Sequence, residues 1–273
     1  MADLRVDDWR LQAFYLQPDE LAVSSTATRY LGASLNYNNN RNLELALAYV
    51  TVPSSDFIYA LPDGQSFTRQ GLQVLNPRLR LTSLLGVPGL WAESEVAWQY
   101  SPRLSMAARG GYGRIGWIAE SWPWRPSLSY RYAAFSGDDP GIATYERFDA
   151  LQASGLTDWL QGVNLGKLYT NANSRSHRLS LAVQPSPVLT VSADYFIRTA
   201  DQRNNLGGRP AFASLQSLDI GQELLLIGRH TLSSHVLLQA VAGIAFPGAA
   251  IRQAVAGSPR TWTSLQLSLF LFY

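Results

Sequence analysis

The chain has 273 residues, of which 47% are hydrophobic and only 15% are charged, and its net charge is +2. Soluble proteins carry about 25% charged residues, so an ordinary soluble domain is a poor match. A membrane-spanning helix needs about 20 consecutive apolar residues, and the sequence contains no such run. The apolar residues are instead spread along the whole chain, as in a transmembrane β-barrel, where lipid-facing and lumen-facing residues alternate.

Cysteine is absent, which excludes a disulfide framework, a thiolate metal site and a cysteine nucleophile. All basic residues except Lys167 are arginine, and the small net charge does not fit a nucleic-acid binder, so we predict no nucleic-acid partner. No secretory signal precedes the patterned sequence, although an exported protein must have had one. We therefore expect that Met1 is not the start of the exported precursor.

Twelve segments alternate between apolar and polar residues, at lengths near the roughly 9–11 residues of a tilted membrane strand. In chain order they are residues 6–17, 29–38, 42–52, 72–83, 90–100, 104–114, 126–135, 178–184, 188–198, 218–229, 235–246 and 261–273. In the fourth segment the apolar phase changes around Pro77, which predicts a bulge or a bend. The pattern predicts an all-β protein, a single transmembrane antiparallel β-barrel domain of about 12 strands over residues 1–273.

The connections between these segments alternate in length. The long ones are residues 18–27, 53–69, 136–175, 200–217 and 247–260, and the short ones are 38–41, 86–89, 185–187 and 231–234, with 101–103 as a short exception among the long. Barrels of the outer membrane have long extracellular loops and short periplasmic turns, so we place residues 136–175 outside. This loop either folds into the lumen as a gate or caps the outside. A soluble β-sandwich also alternates, but strands this uniformly long are unusual there.

The alternation places most charged side chains in the lumen, because a charge on the lipid face costs roughly 2–4 kcal/mol at the membrane midplane. The predicted lumen arginines are Arg10, Arg78, Arg80, Arg109, Arg131, Arg178 and Arg198. The acids that balance them are Glu93, Glu95, Asp194 and Glu223. Two interpretations stay open: the arginines pair with the acids to brace the barrel, or they form a track for an anionic solute, since guanidinium binds carboxylates bidentately.

Two weaker patterns concern metal binding and catalysis. Asp138 and Asp139 lie in the sequence SGDDP, where they either bind Ca²⁺ or stabilise a turn by bonding to the backbone. Otherwise we predict no cofactor. Ser176–His177 and Ser233–Ser234–His235 are neighbours in sequence, but adjacent residues of a strand point to opposite faces, so the sequence predicts no hydrolytic site and no enzyme.

Several stretches resemble the alginate export family of outer-membrane barrels. They are LSYRYAAFSGDDP (128–140), ERFDAL (146–151), NANSRSHRLSLAVQP (171–185), DIGQELLLIGRHTLSSHV (219–236), AGIAFPG (242–248) and LRVDDWRLQAFYLQP (4–18). The resemblance covers nearly the whole chain and implies an outer-membrane pore that exports an anionic exopolysaccharide. Barrels of that family typically have about 18 strands, so either strands are missing from this chain or it is a smaller closed relative.

The sequence therefore predicts a channel of the bacterial outer membrane that exports an alginate-like, uronate-rich polysaccharide. A small-solute anion-selective porin and a plugged barrel with a structural or assembly role are the alternatives. The expected partners are outer-membrane lipid and lipopolysaccharide, the polysaccharide, periplasmic export components and the barrel-insertion machinery. That machinery is expected to recognise the last segment, which points Leu265, Leu267, Leu269, Leu271 and Tyr273 towards lipid. If the barrel closes by itself, this segment pairs with the one near Val6.

Overall fold

The computed structural model describes residues 2–18, 26–60, 65–139, 141–151, 162–168, 171–206, 212–255, 257 and 260–272. The terminal aromatic residue, Tyr273, and Pro140 of the SGDDP sequence lie outside the described residues. Among the described residues, no helix is long and apolar enough to cross a membrane.

One antiparallel sheet of 13 strands dominates the fold, and its strands are adjacent in the sheet in the order in which they follow in the chain. A separate hairpin, β5–β6, is inserted between β4 and β7. The strands are β1 (Ala2–Val6), β2 (Trp9–Leu16), β3 (Arg29–Asn38), β4 (Leu43–Ser54), β5 (Ile58–Ala60), β6 (Ser66–Thr68), β7 (Gln73–Thr82), β8 (Leu90–Ser101), β9 (Met106–Ile118), β10 (Ser127–Phe135), β11 (Ser174–Ser186), β12 (Leu189–Thr199), β13 (Asp219–Ser233), β14 (Val236–Pro247) and β15 (Trp262–Leu271). One short helix, α1 (Ala249–Ala254), and two 3₁₀ turns, Leu84–Gly86 and Leu165–Lys167, complete the described secondary structure.

The additional strand, β1, lies before the first predicted segment and is joined to it by a turn at that segment's start, which accounts for the difference between about 12 predicted strands and the 13 observed. Val6 pairs with Trp9 across Asp7 and Asp8, so β1 and β2 form a tight hairpin. Asp7 has φ of 50°, a left-handed conformation that aspartate tolerates better than most residues. Two consecutive acids interrupting an alternating run were the sequence signal for this turn.

The two faces of the sheet differ as the alternation predicts. On β15, Leu265 and Leu267 are 84% and 72% exposed on the outer face, whereas Ser264 and Gln266 point inward and are partly buried. The outer face also carries hydrogen-bonded aromatic residues, such as Tyr49, whose hydroxyl donates to Gln73 over 2.6 Å. Such aromatic residues are typical of the interfacial girdles of membrane barrels.

The predicted bulge at Pro77 is wrong. The ladder between β4 and β7 runs from Leu43–Leu81 to Thr51–Gln73 without a change of register. The apolar phase changes because Leu72 and Val74 turn inward and are buried in a cluster with loop residues, while the bend, the other part of the prediction, stays a prediction. The apolar residues on the inner face therefore indicate that the interior is filled next to the loops that join these strands.

The connections alternate between two rims. The long-loop rim carries residues 17–28, 55–72, 136–173, 200–218 and 248–261, together with the short link 102–105, and the short-turn rim carries 7–8, 39–42, 83–89, 119–126, 187–188 and 234–235. By the rule for outer-membrane barrels, the long-loop rim faces outside. Within the described residues, β15 pairs with β14 and β1 pairs with β2, so the expected pairing of the last strand with the segment near Val6 is not found.

Loop residues fill the interior next to the long-loop rim. One apolar cluster joins Val52, Leu72 and Met106 of the sheet region to Tyr59 and Tyr145 of the loops. A second joins Leu165, Leu206 and Phe212 to Ile220 and α1, and a third places Val163 against Phe196 and Leu225. The part of the inner face near the short-turn rim lies outside these three clusters and is mostly polar.

Candidate functional site

One row of paired residues crosses the inner face of the sheet, and its part from β4 to β11 carries six charged side chains. Successive register partners, from β4 to β11, are Glu44, Arg80, Glu93, Arg114, Arg131 and Arg178. The last three place arginines directly opposite one another on β9, β10 and β11. Like charges opposite one another repel, so this row keeps a positive potential unless acids or a ligand compensate it.

A second row of paired residues runs parallel to the first, nearer the long-loop rim on β9 to β12. It carries Arg10, Asn36, Ala46, Arg78, Glu95, Tyr112, Ala133, Ser176 and Arg198. The two rows together place on the inner face six of the seven predicted lumen arginines. They also carry Glu93 and Glu95 there, while Asp194 and Glu223 are buried beside Arg178 and Arg198.

The inner face of β2–β9, which we call the open wall, lines a polar cavity of about 400 Å³ near the short-turn rim. Its charged and polar lining includes Arg10, Arg78, Arg80, Glu93, Glu95 and Tyr112. The ion pairs here are loose: Arg80 Nη1 lies 3.8 Å from Glu44 Oε1, and Arg114 Nη1 lies 3.4 Å from Glu93 Oε1. Arg10, by contrast, is held tightly by the carboxylate of Asp3 at 2.6 Å.

Arg78 and Glu95 are the most available charges of the open wall. They are register partners on β7 and β8, yet neither has a hydrogen-bond or ion-pair partner among the described residues. Both line the cavity. An exposed arginine without a protein partner offers its whole planar fork to a carboxylate or phosphate group.

The inner face of β10–β14, which we call the sealed wall, holds two of its arginines in buried ion pairs. Arg178 Nη2 donates to Asp194 Oδ2 over 2.8 Å. Arg198 Nη1 donates to Glu223 Oε2 over 3.1 Å, and both of these side chains are completely buried. Arg131 is only 4% exposed in the same wall. These contacts support the bracing interpretation for Arg178 and Arg198.

Part of the long loop is anchored on the sealed wall. Glu223 Oε1 accepts hydrogen bonds from the backbone N–H groups of Val163 and Asn164 at 2.9 and 2.8 Å. Gly162 has φ of +97°, and a side chain there would collide with Glu223 and Arg198. Residues 162–168 therefore lie in the interior, as a loop folded into the lumen would, and a gating role stays a prediction.

A second anchor holds the loops over the open wall, at the long-loop rim. Asp149, within the ERFDAL sequence, accepts hydrogen bonds from Arg69 Nε at 2.7 Å and from the Tyr59 hydroxyl at 2.6 Å. Gln99 of β8 binds the backbone of the same residue. Burial raises the pKa of Tyr59 well above its ordinary value, so the hydroxyl stays a donor to this carboxylate.

The predicted lumen position of Arg109 is wrong. Arg109 is opposite Trp98 in the β8–β9 ladder, and both side chains are exposed on the outer face. A lumen position for Arg109 would require its alternate neighbours Met106, Ala108 and Tyr112 to face lipid, but the structure buries Met106 and Ala108 in the interior cluster. Arg109 lies near the long-loop end of β9, where an outward charge costs only about 0–1 kcal/mol.

Because the inward and outward faces of β9 were exchanged in the prediction, the sequence interpretation also missed Arg114. Arg114 lies on the inner face, where it stacks over Trp91 at 4.7 Å and donates to Ser129 Oγ over 3.2 Å. The available signal was the continuation of β9, since Ile115 and Trp117 are exposed on the outer face. Extending the strand beyond residue 114 would have fixed the correct phase.

Asp138 and Asp139 both bind backbone groups in the loop after β10. Asp138 Oδ1 accepts from the Glu146 N–H at 3.0 Å, and Asp139 Oδ1 accepts from the Gly141 N–H at 2.8 Å. Burial raises the pKa of the Asp138 carboxyl above its ordinary value. In the part of the chain that the structure describes, no group of three or more acidic or histidine side chains is placed to hold a metal ion. These contacts are those of the turn alternative, and calcium binding stays a prediction.

The Ser–His neighbours lie on opposite faces of β11. Ser176 is buried inside, whereas His177 is exposed outside, where its Nδ1 lies 2.7 Å from the Tyr130 hydroxyl. His235 lies in a tight turn at the short-turn rim, 2.9 Å from Ser234 Oγ. Neither His177 nor His235 has a carboxylate partner in the described hydrogen bonds, as an oriented base would need.

No protein-family model and no curated protein matches the chain. Among solved structures it is similar to Wzi of Escherichia coli, described as an outer membrane protein involved in group 1 capsule assembly and as a carbohydrate-binding β-barrel, with a TM-score of 0.53 and 9% identity. The match covers 97% of this chain but 56% of Wzi, so the chain spans little more than half the length of that protein. A second similar structure is the porin NanC, with a TM-score of 0.40 and 8% identity over 96% of this chain and 98% of NanC.

At such low identity the likeness to Wzi concerns the fold. The chain has the antiparallel fold of an outer-membrane β-barrel, which confirms the fold class predicted from the alternating segments. The predicted location, the bacterial outer membrane, is that of Wzi.

Proposed function

We propose that this protein is an outer-membrane barrel that binds an anionic polysaccharide, uronate-rich and alginate-like, in the cavity of the open wall. The observation that carries the proposal is the set of accessible inward arginines, above all Arg78, which has no partner among the described residues. Accessible arginines beside acids and amides suit a ligand that has both carboxylates and hydroxyls.

The chemistry of the cavity fits one or a few sugar units at a time. Arg78 and Arg80 of the cavity lining, and Arg114 opposite the cavity-lining Glu93, would bind uronate carboxylates, each through two parallel N–H donors. Gln12, Asn36 and Glu95 in and near the same cavity can bond to sugar hydroxyls. The acids also lower the local positive potential, so a polymer that binds here is not held permanently.

The description of Wzi as a carbohydrate-binding barrel supports this class of ligand. The finer proposal is export of the polymer through the lumen, as the resemblance to the alginate export family implies. Export requires the anchored loop residues 162–168 to leave the sealed wall, because they occupy the interior beside Phe196 and Leu225. Periplasmic export components are the proposed partners of such a path, and the barrel-insertion machinery is the proposed partner of β15.

Two alternatives are a small-solute anion porin and a plugged barrel with a structural role. The interior clusters of loop residues favour the second of these. In either case we propose that the protein has no enzymatic activity and no obligatory cofactor, although calcium at Asp138 and Asp139 is open to a direct binding measurement.

The test is calorimetric titration of the purified protein in detergent micelles with oligouronates and, separately, with neutral glucan oligomers. The variants are Arg78→Gln, Arg80→Gln and the double variant. Each single change should weaken oligouronate binding about tenfold, since a hydrogen bond to a charged group contributes roughly 1.5–3 kcal/mol. The control is Arg125→Gln, because Arg125 is also exposed but lies in a turn at the short-turn rim. Equal affinity for neutral oligomers, or unchanged binding in the double variant, would contradict the proposal.

Planar-bilayer recordings separate the alternatives. An anion-selective current that oligouronates block supports the polysaccharide path, whereas an anion current that they do not block indicates a small-solute porin. Absence of conductance with intact oligouronate binding indicates a plugged, carbohydrate-binding barrel.

A further inference from the structure

A groove runs along the outer face of β8–β10, on the side of the sheet opposite to the cavity. Gly111 and Gly113 of β9 form its floor, and Trp98 of β8 and Tyr132 of β10 form its sides. The open groove has a volume of about 580 Å³. Because this face is in contact with lipid in an outer-membrane barrel, a groove here is a place where one acyl chain can lie deeper than its neighbours.

The groove ends at two arginines near the long-loop rim. Arg109 and Arg175 both line it and are both exposed on the outer face. Arg175 Nη2 lies 2.5 Å from Asp201 Oδ1, and this ion pair fixes the position of the Arg175 guanidinium. The guanidinium of Arg109 has no hydrogen-bond or ion-pair partner in the part of the chain that the structure describes. A cation without a partner beside an apolar groove is complementary to an anionic amphiphile.

We propose that this groove binds the phosphorylated lipid of the outer leaflet, lipopolysaccharide, with one acyl chain over Gly111 and Gly113 and a phosphate group at Arg109. The long-loop rim faces outside, so the arginines lie at the level of the outer-leaflet head groups. Guanidinium binds phosphate bidentately, and Arg175 adds a second positive charge. Trp98, Tyr132 and Tyr130 belong to the interfacial girdle, where aromatic residues contact both chains and head groups.

The two parts of the groove explain why the ligand is a lipid and not a free anion. At outward positions β15 presents leucine side chains, whereas the glycines of β9 have no side chain and leave space at the surface. A phosphate ion would use Arg109 alone and leave this apolar volume empty. An acyl chain with a phosphorylated head fills both parts at once.

Two variants act on the two parts separately. Arg109→Gln removes the charge and keeps a polar side chain of similar length. Gly113→Leu fills the groove, and it should fold because a Cβ built at Gly113 meets no atom within 4 Å. The matched control is Gly228→Leu, an outward glycine of β13 whose added Cβ also meets no atom within 4 Å. Arg125→Gln is the control for charge.

The measurement is titration of the purified protein in micelles with fluorescent lipopolysaccharide, with phosphatidylethanolamine and inorganic phosphate as competitors. Folding of each variant is checked by its heat-modifiable mobility on gels. Arg109→Gln and Gly113→Leu should each weaken binding about tenfold, and the two controls should bind as the wild type does.

Three results of the lipopolysaccharide titration would overturn the proposal. They are unchanged lipopolysaccharide binding in both groove variants, equal weakening by Gly228→Leu, and effective competition by inorganic phosphate alone. A wild-type dimer that Gly113→Leu dissociates, with lipopolysaccharide binding unchanged, would assign the groove to a second copy of the chain and would also overturn it.

Discussion

The open and sealed walls use the same residue types for different tasks. On the open wall, Arg80 and Glu44 are 56% and 48% exposed and lie 3.8 Å apart. On the sealed wall, Arg198 and Glu223 are fully buried in a 3.1 Å pair. An inward arginine is therefore not by itself a ligand-binding residue, because an arginine that is buried under a loop forms a structural ion pair instead.

The energetics of the two walls follow from solvent access. An exposed ion pair contributes only about 0–1 kcal/mol, so its partners can exchange for a ligand at little cost. Removing one partner of a buried pair leaves an uncompensated charge in the interior, which is strongly destabilising. Three substitutions, given in order of decreasing expected effect on stability, test the difference between the walls.

The largest effect is expected for Arg198→Leu on the sealed wall. Glu223 would lose its only described cation partner, which should lower the free energy of unfolding by about 3–5 kcal/mol. Denaturant unfolding in micelles, followed by tryptophan fluorescence, measures the change. The matched variant Arg80→Gln on the open wall should cost less than about 1 kcal/mol. Equal losses in the two variants would remove the distinction between the walls.

An intermediate effect is expected for Gly162→Ala. The new Cβ would collide with Glu223 and Arg198, and φ of +97° disfavours any side chain, so residues 162–168 should detach from the sealed wall at a cost of roughly 1–3 kcal/mol. Faster protease cleavage in this loop, with all charges retained, is the expected readout. Gly86→Ala is the control, since Gly86 has φ of +73° but open space around its Cβ. Cleavage at the wild-type rate would show that the loop is not held by this contact.

The smallest effect on stability, but a clear effect on binding, is expected for Arg114→Gln. Arg114 lies where the walls meet, and 22% of its side chain is exposed. Oligouronate affinity should fall about tenfold while the free energy of unfolding changes by less than about 1 kcal/mol. A loss of stability without a loss of affinity would place Arg114 with the sealed wall.

The sequence predicted what depends on local alternation. The outward leucines of β15, the fold class and the inward positions of Arg10, Arg78 and Arg80 all follow from a period of two along single strands. A prediction from this alternation assumes that the apolar residues of each strand face lipid. It failed on β9, where Met106 and Ala108 face a filled interior, and with it failed the positions of Arg109 and Arg114.

The separation into two walls could not be predicted, because it depends on contacts between distant residues. Glu223 binds backbone N–H groups about sixty positions earlier in the chain, and no local pattern encodes that pairing. Arg78 and Arg198 are equivalent in the sequence, since both are inward arginines of an alternating strand. Only the path of the loop over the sheet decides which of them stays accessible.

The lengths of the connections have a consequence for how the chain assembles. Strands β7 to β10 are joined by residues 83–89, 102–105 and 119–126, whereas β10 and β11 are separated by residues 136–173. Closing a short loop loses less chain entropy, and topologies rich in local contacts form faster. We therefore expect the four-strand meander β7–β10 to pair early and to act as the template on which β11–β14 add. Since Glu223 arrives with β13, residues 162–168 take their position in the interior only as that later half of the sheet forms.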